Sequence, residues 1–330
     1  MTPIIFRKKV LNYYRKHRRD FPWRPPSPAV TSFGGQGPLK TQRRASLKLR
    51  RGKADPYRIL VSEIMLQQTQ THRVVPKYEA FLKAFPTIET LAKAPLSAVL
   101  KLWQGLGYNR RAMYLQRAAQ AAVRSHSGQL PDTYDELRVL SGVGPYTASA
   151  VLAFAFNKPV RQAQGEPVAM IETNIRAAVI HEFFSSSRRS LSEGGRSAKK
   201  KISDAELLPI LTKALPRENP RDWYYALMDY GAFIKQKYPN PSRRSAHHAK
   251  QSKFEGSDRQ IRGHIIRELT KWGKVRVKDA GRFFGHTSRP SMGEARPVGR
   301  QNDKRVGRIL NSLIREGLVS RNGNHIRISS

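Results

Sequence analysis

One carboxylate lies in the middle of a strongly apolar stretch of this sequence. Glu63 is flanked by the apolar residues of segments 59–61 and 64–66. Since apolar residues cover nearly the whole circumference of the predicted helix, we expect the helix and Glu63 to be buried. Burial disfavours the charged form of a carboxyl group, and a neutral carboxylic acid can act as a general acid. The structural alternative is a Glu that is paired with a nearby arginine or lies on one solvated stripe of the helix.

A glycine-rich turn separates two segments with helical periodicity, residues 134–140 and 147–156. Gly142 and Gly144 permit a positive φ and let the backbone approach a ligand closely. Pro145 suits the first turn of the second helix, and unpaired backbone N–H groups at such a helix start favour an anion. The turn therefore predicts a clamp for phosphate groups that does not read bases. An ordinary connection between two helices is the alternative.

Two short segments carry side chains that could contact nucleic-acid bases. Residues 67–70 (QQTQ) follow the apolar run at once, and a glutamine can contact a base edge or fill the space that an extruded base leaves. Residues 105–108 (GLGY) form a tight turn that carries a leucine and an aromatic ring, and such groups can wedge between base pairs. A helix cap with a packed tyrosine explains the second segment equally well.

The charge of the chain indicates a polyanionic partner. Its 330 residues include 61 Lys+Arg and 24 Asp+Glu, which gives a formal net charge of +37. Neutralisation of phosphates would then dominate the affinity for nucleic acid; an anionic membrane surface is the alternative. The sequence has no run of about 18 apolar residues that could span a membrane, and no signal-peptide layout at its start. Since it has no cysteine, disulfides and cysteine-ligated metal sites are excluded.

Most of the chain has helical periodicity interrupted by Pro or Gly, which predicts an all-α fold. Three stretches, at residues 25–55, 185–201 and 286–300, are basic and poor in apolar periodicity, and we interpret them as insertions, the first of them disordered. Around the insertions we predict a terminal helical subdomain (residues 1–24 and 157–238), a six-helix subdomain (56–156), a linker (239–253) and a C-terminal domain (254–330).

The C-terminal domain has a pattern of its own. Three helical segments precede two short apolar segments that flank Asn322-Gly323, which is a strong hairpin signal. Three helices and a terminal hairpin are typical of a winged-helix domain, which could place its third helix in a major groove. Basic residues on that helix favour DNA contact over a small oligomerisation or packing module. The candidate DNA contacts on it are Lys304, Arg305 and Arg308.

Four motifs resemble, in the same order, those of adenine DNA glycosylases of the MutY type. They are residues 21–24 (FPWR), 62–70 (SEIMLQQTQ), 103–108 (WQGLGY) and 140–147 (LSGVGPYT). Residues 228–232 (MDYGA) also resemble the stretch that precedes the iron–sulfur cluster of that family. The similarity runs from about residue 4 to about residue 234, apart from the insertions. It implies the all-α helix-hairpin-helix fold of the HhH-GPD glycosylases, with two helical subdomains, to which the winged-helix-like domain is added.

The resemblance implies that the chain removes adenine from DNA. Glu63 would protonate the adenine and so make it a better leaving group. Tyr146 stands where bifunctional relatives have a Schiff-base lysine; a phenol cannot form that imine, which implies a monofunctional glycosylase. Trp23, Arg24 and Leu66 would line the pocket for a flipped adenine, because the glycosidic bond is inaccessible inside the base stack.

The resemblance also assigns the contacts to DNA. Gln68, Thr69 and Tyr108 would contact or wedge beside the opposite base, which in this family is 8-oxoguanine or guanine. The glycine-rich turn would bind the phosphate backbone, as in the helix-hairpin-helix of DNA repair proteins. The candidate DNA-binding residues outside the C-terminal domain are then Gln67, Gln68, Thr69, Leu106, Gly107, Tyr108, Gly142, Val143, Gly144 and Thr147.

Glu172 takes the position of the family's second carboxylate, which is an aspartate at a helix start. Cleavage of a glycosidic bond passes through an oxocarbenium-like state that a carboxylate can stabilise. Glu172 could equally cap the N-terminus of the helix that follows it. If both roles hold, Glu63 must be protonated while Glu172 stays ionised. We expect the helix start to help keep Glu172 charged and the apolar helix to keep Glu63 neutral.

Two structural features of the family are replaced in this chain. Lys235 stands where the first cysteine of the cluster would be, so we expect no iron–sulfur cluster and no other cofactor. The winged-helix-like domain takes the place of a Nudix-like domain that helps the family to recognise 8-oxoguanine.

The expected activity is excision of adenine opposite 8-oxoguanine or guanine in double-stranded DNA, in the cytoplasm and at the nucleoid. Two alternatives remain: a thymine glycosylase acting on T/G mismatches, and a non-catalytic protein that binds mismatched DNA on a glycosylase scaffold. We expect no membrane partner, and the sequence identifies no protein partner.

Overall fold

A computed structural model describes residues 1–25, 54–159, 169–184, 201–216, 218–249, 251–284 and 300–329. The predicted basic insertions at residues 25–55, 185–201 and 286–300 lie almost entirely outside these ranges. The described residues are mostly helical, with one small sheet near the C-terminal end, which confirms the predicted fold class. Within them, no helix has the length and apolar character needed to cross a bilayer.

The helices of the described residues, in chain order, are α1 (Pro3–His17), α2 (Pro56–Leu66), α3 (Thr71–Ala84), α4 (Ile88–Lys93), α5 (Leu96–Trp103), α6 (Arg110–Ser125), α7 (Tyr134–Val139), α8 (Pro145–Val151), α9 (Thr173–Phe184), α10 (Asp204–Ala214), α11 (Pro220–Lys237), α12 (Asp258–Trp272), α13 (Ala280–Phe284) and α14 (Arg300–Arg315). The strands are β1 (Lys274–Arg276), β2 (Val319–Asn322) and β3 (His325–Ile328). The two helices predicted on either side of the glycine-rich turn, at residues 134–140 and 147–156, coincide to within a few residues with α7 and with α8 and its continuation to Phe156. The short elements α4 and β1 escaped prediction because so few residues do not reveal a period.

The chain forms two compact units that alternate along the sequence. The first unit comprises Met1–Leu60, Asp132–Arg138 and Val143–Lys250. The second unit comprises Val61–Pro131, Val139–Gly142 and Gln251–Ser330. The C-terminal domain therefore belongs to the same unit as helices α3 to α6.

The first unit has its core between α1, α9, α10 and α11. Phe6 of α1 is fully buried and lies edge-on to Trp223 of α11, with ring centroids 5.9 Å apart. Helix α11 packs closely on the start of α9, because a Cβ atom built on Gly231 would lie only 2.0 Å from the carbonyl oxygen of Asn174. This close approach fixes the backbone just after Glu172.

The turn between α7 and α8 uses its two glycines differently. Gly142 has a φ of +77°, and a Cβ built on it would lie 2.7 Å from Cβ of Tyr114, so both conformation and space require glycine there. Gly144 has a φ of −78° as the N-cap of α8, and among the described residues no atom lies within 4 Å of its built Cβ. The expectation of a positive φ thus holds only for Gly142. At Gly144 the backbone conformation is an ordinary one, and the space beside its Cα is open. After α8 the helix widens into a π-helix at Leu152–Phe156.

The second unit joins helices α3 to α6 to the C-terminal domain. Trp103 of α5 is fully buried and lies edge-on to Phe81 of α3, with ring centroids 6.0 Å apart. Helix α12 packs against α5. Arg110 of α6 lies 3.8 Å from Glu316, which also accepts a hydrogen bond from Arg262 of α12. The C-terminal domain is thus attached to the helices by both packing and charge.

The C-terminal domain has the element order of a winged helix, α12–β1–α13–α14–β2–β3. Strand β3 pairs in antiparallel fashion with both β1 and β2. The predicted hairpin is confirmed, but its turn is Gly323-Asn324, because Asn322 still pairs with His325. Gly323 has a φ of +56°, as such a tight turn requires.

Candidate active site

Glu63 lies near the end of α2 and is buried, as the apolar pattern predicts. It is 7 % exposed, and its neighbours Ser62 and Ile64 are 0 % and 1 % exposed. Because Glu63 exposes so little surface, its carboxyl group can act only on a substrate that enters the protein to reach it. Leu66 and Gln67 follow at the helix end and are half-buried.

Arg111 of α6 ties the end of α2 to the turn after α5. It is buried, and its guanidinium donates hydrogen bonds to six oxygen atoms. These are the carbonyl oxygens of Ile64 (2.8 Å), Met65 (3.0 Å), Gln67 (2.5 Å), Leu106 (3.1 Å) and Gly107 (3.1 Å), and Oγ1 of Thr69 (3.1 Å). Because none of these partners is a carboxylate, burial lowers the pKa of Arg111 to about 10.

Sequence reasoning missed Arg111, although a signal was present. The residue heads the apolar face of α6, one turn before Leu115 and two turns before Ala118, both of which are fully buried. An arginine on an apolar stripe is buried only when it finds acceptors.

Gln68 and Tyr108 project from the two segments that Arg111 holds. Their φ angles are +55° and +50°, in the left-handed region that costs an L-residue about 1 kcal/mol or more. Such conformations persist where surrounding contacts fix them, and the hydrogen bonds of Arg111 do so here. Both side chains are exposed, Tyr108 by 38 %. Leu106 is buried, so Tyr108 rather than Leu106 protrudes from this turn.

The end of the predicted linker and the first helix of the C-terminal domain contact these same two side chains. Gln251 donates a hydrogen bond to the hydroxyl of Tyr108 and another, of 3.3 Å, to Oε1 of Gln68. Arg259 of α12 also donates to the Tyr108 hydroxyl, at 3.0 Å. These contacts were not expected, because the sequence around Gln251 has the composition of a linker. The opposite-base candidates and the C-terminal domain therefore share one surface.

Helix α14 presents a basic face. Among the side chains of α14 that the structure describes, the exposed ones are spaced by four, three and four positions and border an open groove: they are Lys304, Arg308, Asn311 and Arg315. Arg305 lies off this face, where it donates hydrogen bonds of 2.7 Å to Asp258 and to the carbonyl oxygen of Gly256. The predicted contacts Lys304 and Arg308 thus lie on one surface, and Arg305, together with a hydrogen bond of 3.3 Å from Arg308 to Asp258, holds α14 to the start of α12.

In the first unit, Glu172 caps α9. Its Oε1 accepts hydrogen bonds from the backbone N–H groups of Asn174 (2.7 Å) and Ile175 (2.9 Å). Burial raises the pKa of Glu172, although these N–H groups and the charges of Lys235 and Arg176 lower it. The capping alternative is therefore observed. Contrary to expectation, the helix start does not keep the pKa low, because burial outweighs it.

Arg24 is buried and bound to Asp229. Its Nη1 and Nη2 donate to the two carboxylate oxygens at 2.8 and 2.9 Å, and its guanidinium lies 4.4 Å from the ring centre of Tyr225. Burial lowers the pKa of Arg24, but the hydrogen bond and charge of Asp229 outweigh this effect and raise it. Trp23, also buried, stacks on Phe21 at 4.9 Å. The interaction with Asp229 anchors this segment, and a pocket role for Trp23 and Arg24 stays a prediction.

The remaining candidates lie around the glycine-rich turn. Tyr146 is half-buried in the first turn of α8, and Val143 and Thr147 are buried. Contacts of Val143 and Thr147 with DNA would therefore use backbone groups. Of the predicted catalytic residues, Glu63 belongs to the second unit, and Glu172 and Tyr146 belong to the first.

A cluster held by four cysteines does not fit this chain, which has none. The segment after α11 is attached by hydrogen bonds: Arg244 donates to the carbonyl oxygen of Phe184 at 2.8 Å, and its own carbonyl accepts from Ile202 at 2.9 Å. Among the described residues, no group of three or more His, Cys, Asp or Glu side chains could hold a metal ion.

Comparison with known proteins extends the motif resemblance. The adenine DNA glycosylase of Buchnera aphidicola subsp. Baizongia pistaciae is 36% identical over 158 residues, which cover 48% of this chain and 37% of the relative. The adenine DNA glycosylase of Schizosaccharomyces pombe is 30% identical over 234 residues, 69% of this chain and 44% of the relative. The adenine DNA glycosylase of Mycobacterium tuberculosis (strain CDC 1551 / Oshkosh) is 29% identical over 279 residues, 78% and 76% of the two chains. The chain thus spans 37% and 44% of the length of the first two relatives.

The fold comparison agrees with these relatives. A solved structure of a thermostable thymine-DNA glycosylase superposes with a TM-score of 0.50 at 26% sequence identity, and covers 70% of this chain and 86% of that chain. Residues 61–204 match the family model described as HhH-GPD superfamily base excision DNA repair protein. The chain therefore belongs to the HhH-GPD superfamily of base excision DNA repair proteins.

Proposed function

We propose that this chain is a monofunctional DNA glycosylase of base excision repair that removes adenine mispaired with 8-oxoguanine or guanine. The observation that carries the proposal is the burial of Glu63 within the motif of residues 62–70. Relatives named adenine DNA glycosylase support the choice of adenine. No cofactor is needed for this hydrolysis.

In the proposed reaction the adenine is flipped out of the duplex before the chemistry begins. Glu63 gives a proton to N7 of the adenine, and the C1′–N9 bond breaks with its electron pair on the base. The carboxylate of Glu172 stabilises the cation that develops on the sugar. Water then adds to C1′ and returns a proton to Glu63, which leaves an abasic site. Tyr146 offers no amine for an imine, so the strand stays intact.

Double-stranded DNA with a mismatched or oxidised base is the proposed partner, which would place the protein at the nucleoid in the cytoplasm. The net charge of +37, the exposed Gln68 and Tyr108, and the basic face of α14 support this partner. If about six to ten phosphates are neutralised, affinity should fall by roughly a thousandfold or more between 50 and 200 mM salt. A nearly flat salt response would contradict binding through phosphates.

The substrate is tested with purified protein and three duplexes, which carry A opposite 8-oxoguanine, A opposite G, and T opposite G. Alkali converts each abasic site into a strand break, so we expect scission of the two adenine duplexes after alkali only. The similarity to a thymine-DNA glycosylase makes T/G the second candidate, and scission of that duplex alone would establish it. Binding without scission would instead indicate a protein that only recognises mismatches.

A further inference from the structure

Lys235 of α11 is linked to Glu172 through a single amide side chain. Its Nζ donates a hydrogen bond of 3.1 Å to Oδ1 of Asn174. The Nδ2 of Asn174 contacts Oε2 of Glu172 at 3.3 Å, and its backbone N–H donates to Oε1 at 2.7 Å. Both oxygens of the carboxylate are therefore engaged by Asn174, and the far end of that side chain is held by Lys235.

The same face of α11 also holds the backbone of Asn174. Gly231 lies one helical turn before Lys235, so the two residues face the same side. A Cβ built on Gly231 would lie 2.0 Å from the carbonyl oxygen and 2.9 Å from Cα of Asn174. Helix α11 thus fixes Asn174 by contact with its backbone and by a hydrogen bond to its side chain, which leaves the amide little freedom to turn away from Glu172.

The charge of Lys235 is not shared with another carboxylate of the described residues. Arg176, the other cation that acts on Glu172, is bound to Asp204 of α10 at 2.7 Å. From the segment after α11, Arg244 is engaged by the carbonyl oxygen of Phe184. On α11 itself, Asp229 is paired with arginines of the N-terminal segment. Of the two cations that lower the pKa of Glu172, Lys235 is therefore the one that is not bound to a carboxylate of the described residues.

We propose that Lys235 is a positioning residue, which orients the carboxylate of Glu172 through Asn174 and favours its ionised form. The inference rests on the proposed role of Glu172 in glycosidic cleavage. Lys235 stands at the position that the resemblance assigns to the first cluster cysteine.

The test compares Lys235→Gln, Lys235→Arg and the control Lys237→Gln, which removes an exposed charge from the same helix. Single-turnover excision of adenine is measured at saturating DNA from pH 5 to pH 9. Without the lysine charge, protonation of Glu172 occurs at higher pH, so the acidic limb of the Lys235→Gln profile should move up by about one pH unit. At a fixed pH on that limb the rate falls about tenfold. Lys235→Arg should restore the profile, and Lys237→Gln should leave it unchanged.

Two further readouts separate this role from others. Affinity for DNA should change equally in Lys235→Gln and Lys237→Gln; a loss confined to affinity, with an unchanged acidic limb, would make Lys235 a phosphate contact and overturn the proposal. The carboxyl carbon of Glu172, assigned by means of Glu172→Gln, is also titrated by NMR in the free protein. Its pKa should be higher in Lys235→Gln, and an unchanged value contradicts the proposal. If the wild type cleaves none of the duplexes, the proposed function fails, and this titration still decides the role of Lys235.

Discussion

Two buried arginines, one from each unit, are held in opposite ways. In the first unit Arg24 binds the carboxylate of Asp229, and its pKa is raised. In the second unit Arg111 binds only neutral oxygen atoms, and burial lowers its pKa to about 10. A paired charge keeps its ionised form at little cost, whereas a cation held by carbonyl dipoles bears the cost of desolvation.

Glu172 is the anionic counterpart of Arg111. It is held by backbone N–H groups and a side-chain amide, and its pKa is raised by burial. Arg221 of α11 resembles Arg111, because it is buried, donates to the carbonyl oxygen of Ala155 at 2.9 Å, and has a pKa that burial lowers. The ion pair of Arg24 and Asp229, by contrast, anchors the segment after α1 to α11. Groups with perturbed pKa values are common at functional sites, which agrees with the role proposed for Glu172.

The largest effect should come from breaking the charge pair. Asp229→Asn removes the counter-ion and leaves the charge of Arg24 buried, so the free energy of unfolding should fall by about 3–5 kcal/mol. Urea unfolding measures the change. Asp20→Asn is the control, because Asp20 is exposed and lies 3.6 Å from Arg18; it should cost less than about 1 kcal/mol. Similar losses in the two variants would mean that Arg24 tolerates burial without its partner.

Replacing Arg111, which has no carboxylate partner, should lower the free energy of unfolding by less. Arg111→Met leaves carbonyl oxygens without donors but no charge uncompensated, so we expect a loss of about 2–3 kcal/mol in urea unfolding. It should also slow excision, because Gln68 and Tyr108 would relax from their left-handed conformations. Arg124→Met, which alters an exposed arginine near the end of the same helix, is the control for stability. If both variants lose the same stability, the buried hydrogen bonds of Arg111 contribute nothing beyond packing.

The smallest effect is a pH-dependent gain on neutralising Glu172. Because its pKa is raised in the folded protein, the carboxyl group favours folding below its ordinary pKa, and that contribution is lost as pH rises through the folded value. An amide does not titrate. Glu172→Gln should therefore become more stable relative to wild type as the pH rises from 5 to 8, and urea unfolding at both pH values measures the difference. The exposed Glu79→Gln serves as control, and a pH-independent difference for Glu172→Gln would refute a raised pKa.

The sequence predicted those parts of the molecule that periodicity and turn chemistry determine. The apolar pattern around Glu63, the Gly142 turn and the hairpin after α14 all depend on neighbouring residues, and each is found where it was expected. The contacts of Arg111 join residues more than 40 positions apart, and no local pattern encodes such a distance. The left-handed backbone at Tyr108 was equally hidden, because an L-residue adopts it only under tertiary constraint.

The protonation state of Glu172 was harder to predict from the sequence than the position of the residue at a helix start. A helix start favours an ionised Glu172, and that effect is present in its bonds to the backbone N–H groups. Burial outweighs it, and the depth of a side chain depends on the packing of α11 against α9. The role of Asp229 was missed for the same reason, although an Asp within an apolar helix signals a buried partner.

The most direct test of the account is single-turnover excision of adenine opposite 8-oxoguanine by Glu63→Gln. The amide keeps the size of the side chain but cannot supply the proton to the base. We predict that alkali-labile scission falls about a hundredfold or more, the range of general acid catalysis, while the Kd for the duplex changes by no more than a few-fold. A variant that excises adenine at the wild-type rate would contradict the role of Glu63 and with it the proposed mechanism.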